Sequence, residues 1–295
     1  MGRLEFLRAA EKEVVGAKLD RPEDWAAVTP GDLETWLGRP VRARWSWAEL
    51  RRRWEGDQRF LDRGGMDWLP RGSPGFPAAL AEIADPPWAL WIRGGSLQLD
   101  RAWVAVVGTR LPDEAAKQAA FVLARDLAAA GAVVVSGLAR GIDGQAHRGA
   151  LEAGLTVAVL GHGIDSVSPA GHLGLARRML AGGGAVVSEY GPGEPAFGYR
   201  FVERNRIISG LARTVVVVQA PARSGALATA DFGLDQGRDV VVHRAGLEGE
   251  RGAGIRNLVL QGAPVIGGAS DVLAMWKDGN VHRFGGQIEL EWGER

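Results

Sequence analysis

The chain has 295 residues with 35 basic and 35 acidic side chains, is 46% hydrophobic, and contains no cysteine. That balance describes an ordinary globular protein with room for one large domain or two, and the missing cysteines exclude disulfides and thiolate metal sites. Zero net charge counts weakly against a nucleic-acid binder, for which the local field matters more than the total.

Residues 1–65 read as a small helical module. Helices are expected at Pro22–Trp25, Thr29–Leu37 and Ser46–Trp54, with Thr29 and Ser46 as N-caps and Glu49 completing a capping box on Ser46. Acids and bases balance there, which favours protein contact or packing over a grip on DNA. The charged N-terminus has no apolar core of the signal-peptide kind, and no apolar run is long enough to span a membrane, so a reducing cytoplasm is the expected location. Nine of the eleven tryptophans fall between Trp25 and Trp103, whereas glycine and valine dominate from Val104, which places a boundary near residue 65.

Pro70, Pro74, Pro77, Pro86 and Pro87 punctuate an irregular lead-in that ends in a short strand at Trp88–Ile92. Strands and helices then alternate. Strands are expected at Val104–Val107, Ala132–Val135, Thr156–Leu160, Ala185–Ser188, Thr214–Val218 and Asp239–Val242. Helices are expected at Asp113–Ala130, from Gly144, at Leu173–Leu180 and from Ala226. Uniformly apolar strands alternating with helices predict an α/β fold: a doubly wound, mostly parallel, Rossmann-like sheet over residues 66–276, covered on both faces. The tail, 277–295, carries an alternating stretch at Gln287–Trp292 that fits a lone edge strand.

Ligands of open α/β sheets bind outside the carboxyl ends of the strands. Four glycine loops fall there: Gly108-Thr109-Arg110; Ser136-Gly137 running on to Arg140-Gly141; Gly161-His162-Gly163; and Ser224-Gly225, which opens a helix containing Thr229. None has the spacing of a dinucleotide fingerprint or a P-loop. Between Gly198 and Arg213, Arg200, Arg204, Arg206 and Arg213 face only Glu203, a local charge of +3, and Asn205 lies among them. Guanidinium groups beside a helix N-terminus suit phosphate. This segment reads as basic and amide side chains running into a short apolar turn. Arg110 and Arg140 read either as phosphate contacts or as partners of a nearby acid such as Asp143.

Asp143 and His147, one helical turn apart, are either an acid/base couple, half a metal site, or a helix-start aspartate orienting a packed histidine; the last reading is preferred. His162 and His172 read as loop or surface residues. No residue pattern supports catalysis, and neither a metal nor a cofactor is expected.

In this order and spacing the motifs resemble the DNA-processing DprA (Smf) family. The resemblance runs from Gly72 to Leu273 through Phe76-Pro77, Asp85-Pro86-Pro87, Gly108-Thr109-Arg110, Ser136 to Asp143 with His147, Ser188-Glu189, Arg204 to Leu211, Ser224 to Ala230 and Gly262-Ala263. It implies single-stranded DNA binding, delivery of that strand to the RecA recombinase in natural transformation, and a homodimer. The sequence departs from the family at Ser168 (usually tyrosine), Val202 (usually proline) and Gln219 (usually glutamate). Arg200 stands near a position where some members carry lysine. Phe197 and Tyr199 flank the basic segment and either stack on bases or pack. The alternative is a small-nucleotide binder or nucleotide-processing relative on the same fold. Those enzymes carry a glycine-rich segment with a catalytic glutamate, which the stretch Arg223–Asp231 lacks.

Overall fold

Valine-rich runs set the architecture. Trp103–Val107 (β3), Val133–Ser136 (β4), Thr156–Leu160 (β5), Ala185–Ser188 (β6), Thr214–Val217 (β7) and Asp239–His243 (β8) are buried at every position. β-Branched side chains suit the pleat, and burial on both faces removes the polar alternation of a half-exposed strand. The computed structural model describes residues 65–277 except 98, and, nearer the N-terminus, 14–15, 18, 29–38 and 56–57.

With β1 (Met66–Pro70), β2 (Ala89–Gly94) and β9 (Val265–Ile266), the described strands form a nine-stranded sheet in the order β1-β2-β6-β5-β4-β3-β7-β8-β9. All pairings from β6 to β9 (Val265–Ile266) are parallel. The proline-rich lead-in is more regular than its sequence indicates. It supplies β1 (Met66–Pro70) and β2 (Ala89–Gly94), which pair antiparallel, and β2 pairs antiparallel with β6. Trp68 lies opposite Trp91 in this register, their rings 6.4 Å apart.

Alternate residues of each strand feed different cores. Ala105, Val107, Val135, Val215, Val217 and Val242 pack with Ile207, Ile208, Ala230 and Ile255 on one face. Val104, Val106, Val134, Val216 and Val241 pack with Ala120, Leu123, Leu127, Ala146 and Val272 on the other. The first face is covered by α7 (Asn205–Leu211), α8 (Gly225–Asp235) and α9 (Ala253–Leu260), together with the short α2 (Ala78–Ala81). The second is covered by α3 (Glu114–Ala129), α4 (Ile142–Ala150), α5 (Leu173–Ala181) and α10 (Ala269–Lys277). A mostly parallel sheet in three layers results. Each fully buried valine or leucine contributes roughly 1.5–3 kcal/mol relative to exposure.

From β3 the chain winds outward through β4, β5 and β6, then returns to place β7 on the other flank of β3. The winding direction therefore reverses between β3 and β7. Across that seam Asp113, the N-cap of α3, accepts from the Ala116 N–H at 2.8 Å. Its own N–H donates to Gln219 Oε1 at 3.1 Å, and the Gln219 amide donates back to its carboxylate. The Ala116 N–H first, then the Gln219 amide, hold the Asp113 carboxyl below the usual carboxylate range.

One segment differs in kind from its sequence reading. The expected short apolar turn after Asn205 is helix: α6 (Gly198–Glu203) runs into α7 through Arg204, whose backbone stays right-handed helical. Nothing in the segment breaks a helix, and α7 is buried throughout. Nearer the N-terminus, α1 (Pro30–Leu37) begins at the Thr29 cap, where Asp32 reaches back to the Thr29 N–H at 2.8 Å. The expected helices at Pro22 and Ser46 and the edge strand at Gln287–Trp292 lie outside the described residues.

Helices α3 and α4 meet at Gly149, where an added Cβ would lie 2.0 Å from the Phe121 carbonyl oxygen. Gly149→Ala is expected to cost roughly 1–3 kcal/mol through overpacking, read as a lower urea midpoint with an unchanged m-value.

Candidate functional site at the carboxyl edge of the sheet

The loops after β3, β4 and β7 are stitched together by backbone hydrogen bonds. Thr109 N–H donates to the Gln219 carbonyl at 2.7 Å, and Ile142 N–H donates to the Thr109 carbonyl at 3.2 Å. Gly141 has φ +77°, and a Cβ on it would lie 2.3 Å from the Thr109 oxygen, so only glycine permits this approach. The loop after β4 turns its N–H groups inward. Gly137 and Ala139 donate to Asp143 Oδ2 at 3.1 and 3.3 Å, and Leu138, at φ +56°, donates to His147 Nε2 at 3.3 Å. These N–H groups hold the loop's shape and do not face a ligand.

The Asp143–His147 pair is structural, though the two groups do not orient each other. Thr156 Oγ1 donates to the Val134 carbonyl at 2.8 Å, so its contact with His147 Nδ1 at 2.7 Å makes Nδ1 the donor. His147 is therefore the neutral Nδ1–H tautomer with both ring nitrogens satisfied. Burial, with adjacent positive groups, pulls its pKa down to about 3. Burial raises the Asp143 pKa, opposed by Arg204 and by the two loop N–H groups. His162 and His172, expected in loops or at the surface, are buried, at 1% and 8% exposure. His162 Nδ1 lies 3.1 Å from the Gly163 carbonyl, and His172 Nδ1 lies 2.9 Å from that of Leu138.

The arginines of 198–213 divide by burial. Arg206 is not solvent-facing: its exposure is 6%, Nη2 donates to both Glu189 oxygens at 2.8 Å, and Nε donates to the Asp85 carbonyl and carboxylate at 2.9 and 3.2 Å. Burial works against its charge, yet Glu189 and Asp85 outweigh that and raise its pKa. Arg200 is also buried, paired with Glu194 at 3.1 Å and 4.3 Å from the Tyr190 ring centroid. Arg204 lies under the edge. Its guanidinium donates to the Gly137 carbonyl at 2.8 Å, to the Val159 carbonyl and to Asn205 Oδ1. It covers Gly137 so closely that a Cβ there would sit 2.3 Å from Nη2. Burial lowers its pKa to about 10; Asp143 opposes the shift and Arg110 adds to it. The Ile142–Thr109 hydrogen bond sets the loop that carries Arg110 beside the loop whose Gly137 carbonyl Arg204 holds. Arg213 is exposed, 5.5 Å from the Trp276 ring.

The remaining candidates sort the same way. Ser136, Thr109, Asn205 and Thr229 are buried; Ser136 donates to the Val106 carbonyl, and Asn205 donates to the Gly225 carbonyl at 3.0 Å. Arg110, Arg140 and Gly225 are exposed, and Gly108, Gly141 and Ser224 are partly so. At the start of α8, Ser224 Oγ caps the Ala226 N–H at 3.3 Å, and the space beside Gly225 is open. The resulting edge has buried Arg204 beneath the Gly137 loop, exposed Arg110 and Arg140 on its loops as a cationic rim, and the α8 N-terminus tied in through Asn205, which suits an extended anion. No described group of histidines and carboxylates could hold a metal ion. Glu189, Glu194 and Tyr190 were missed as determinants of the basic segment; only the Ser188-Glu189 and Asp85-Pro86 motifs hinted at two of the partners.

Residues 68–277 match the family described as DNA recombination-mediator protein A. The Escherichia coli protein Smf is 38% identical over 215 residues, 72% of this chain and 58% of that protein, so the chain spans somewhat over half of its length. The X-ray structure of DNA processing protein A from Streptococcus pneumoniae aligns at TM-score 0.71 and 30% identity, covering 91% of this chain and 98% of that one. The Helicobacter pylori protein, described for its single-stranded DNA binding mode, aligns at TM-score 0.65 and 28% identity, covering 72% and 96%.

Arg206→Ala strands Glu189 in the interior. It is expected to cost about 3–5 kcal/mol, read as a large fall in the denaturation midpoint. His147 yields a pH signature. Its folded-state pKa lies below the unfolded value, so the stability it carries is complete above pH 6.5 and is lost as pH falls toward about 3. Asp143, with its pKa raised, acts in the opposite sense. His147→Gln should therefore flatten the acid side of the stability–pH curve relative to wild type, measured by urea titration across that window.

Proposed function

The chain belongs to the DNA recombination-mediator protein A family, and we propose that it binds single-stranded DNA along the carboxyl edge of its sheet and delivers it to the RecA recombinase. The observation that carries this reading is the gathering on one sheet edge of the loops bearing exposed Arg110 and Arg140, with buried Arg204 bonded to the Gly137 carbonyl and its neighbour Asn205 bonded to Gly225 at the start of α8. Such an edge reads phosphates rather than bases, so sequence tolerance follows from its chemistry. Arg110, Arg140, Ser224 and Gly225, with Gly108, Thr109 and Gly141 shaping the loops, form the contact surface. Arg200, Arg204, Asn205, Arg206, Gly137, Ser136 and Thr229 support it from beneath. The role is one of binding and hand-over, without a chemical step, in the cytoplasm; among the described residues no helix is long and apolar enough to cross a membrane.

The protein works as a two-fold dimer through the C-terminal half of the sheet domain. Leu260 is 86% exposed on α9 and Val265 is 46% exposed on the edge strand β9, leaving apolar surface there for a second copy.

Fluorescence polarisation with oligo-dT, duplex and free mononucleotides tests the binding. Oligo-dT should bind tightest, with affinity falling steeply as salt rises. Arg110→Ala and Arg140→Ala should each weaken it by about 1.5–3 kcal/mol, the worth of one charge-assisted contact, at an unchanged melting temperature. Salt-insensitive binding, or a mononucleotide competing as well as the strand, would instead favour a small-nucleotide receptor. RecA strand pairing on protein-coated DNA tests the hand-over. Light scattering of Leu260→Glu, expected to be monomeric where wild type is dimeric, tests the interface.

A further inference from the structure

α6 lies across the carboxyl end of β5. The Arg200 carbonyl approaches to 3.0 Å from a Cβ on Gly161, and Arg204 at the end of α6 bonds the Gly137 and Val159 carbonyls. The outer side of this segment presents Phe197, Tyr199 and Val202, at 45%, 51% and 46% exposure. Phe197 and Tyr199 are parallel to each other, with centroids 5.8 Å apart and planes within 10°. The Arg200 guanidinium sits 5.1 and 6.0 Å from these two centroids. Arg200 is itself fixed by Glu194 at 3.1 Å and by the Pro195 carbonyl at 3.2 Å. The rings are thus held in place from beneath while their outer surface stays open to water.

We propose that Phe197 and Tyr199 form a base-stacking platform, taking a nucleobase of the single strand whose phosphates lie on the arginine rim. The proposal rests on the strand-binding reading above and adds to it a contact with the bases. Flat, parallel rings held by a cation suit a π-face, and every base offers one, so the contact adds affinity without reading sequence. A protein partner would more commonly be met by an interdigitating apolar surface, and here the neighbouring edge is cationic.

The test uses the full chain with oligo-dT and a backbone-matched abasic oligomer of equal length. Wild type should bind oligo-dT at least about fivefold more tightly than the abasic strand, from one stacked base. Phe197→Ala/Tyr199→Ala should remove that preference and leave abasic binding and its salt slope unchanged. Phe197→Tyr/Tyr199→Phe, which keeps both rings, should retain it. If the double alanine variant does not fold, Tyr199→Ala alone should reduce the preference. A preference that survives loss of the rings overturns the platform, as does a loss accompanied by a changed oligomeric state in light scattering, which would make the patch a contact between copies. Wild type binding both oligomers equally also overturns the platform and leaves the phosphate-edge reading standing. Failure to bind either oligomer overturns both.

Discussion

A guanidinium group cannot shed its charge when it is buried, so it must be met by acids or carbonyls wherever the fold encloses it. Three arginines of one short segment are enclosed here. Arg206 is met by Glu189 and Asp85, Arg200 by Glu194, and Arg204 by the Gly137 loop carbonyl, the Val159 carbonyl of β5 and the field of Asp143. Each pairing fixes a different part of the edge: Asp85 belongs to the segment before β2, Glu189 follows β6, and Gly137 follows β4. α6 and α7 are thereby fastened to loops that approach from three directions, and the positions of the exposed arginines depend on that fastening.

The sheet was legible because its signal is local. Uninterrupted valine runs bounded by glycine loops mean strands buried on two faces, and the expected and observed ends agree within a residue or two. β1 was not legible, since five residues ending in proline carry little pattern until an antiparallel partner is present. Of the candidate site, only the placement of its loops was legible. Four glycine loops were correctly assigned to one edge, but the direction of an N–H and the burial of a side chain depend on distant partners. Arg206 illustrates this: in sequence it is one more cation in a basic run, and its principal acids lie 17 and 121 positions away. The inward-facing N–H groups of residues 137–139 were equally hidden, because their acceptors sit on the following helix.

One departure from the family pattern has a structural reading. The resemblance to the family implies glutamate where Gln219 stands, and the Gln219 amide both accepts from and donates to Asp113. A glutamate in this arrangement would set one carboxylate against another at the α3 N-cap. The amide removes that repulsion and leaves Asp113 as the single carboxylate of this hydrogen-bonded pair. The positive character of the edge thus comes from Arg204 and the rim, with no offsetting acid at position 219.

The Thr109–Gln219 hydrogen bond spans the place where the winding reverses, where dinucleotide-binding sheets usually leave a cleft. Here the ladder between β3 and β7 runs on past the strand ends to Thr109 and Gln219, so in the proposed binding mode the strand rests on top of the seam. A ligand laid on such an edge enters from the side, so in that mode a polymer need not be threaded from a terminus. The proposed mode would therefore give long strands without free ends, circular ones included, the same access as short fragments.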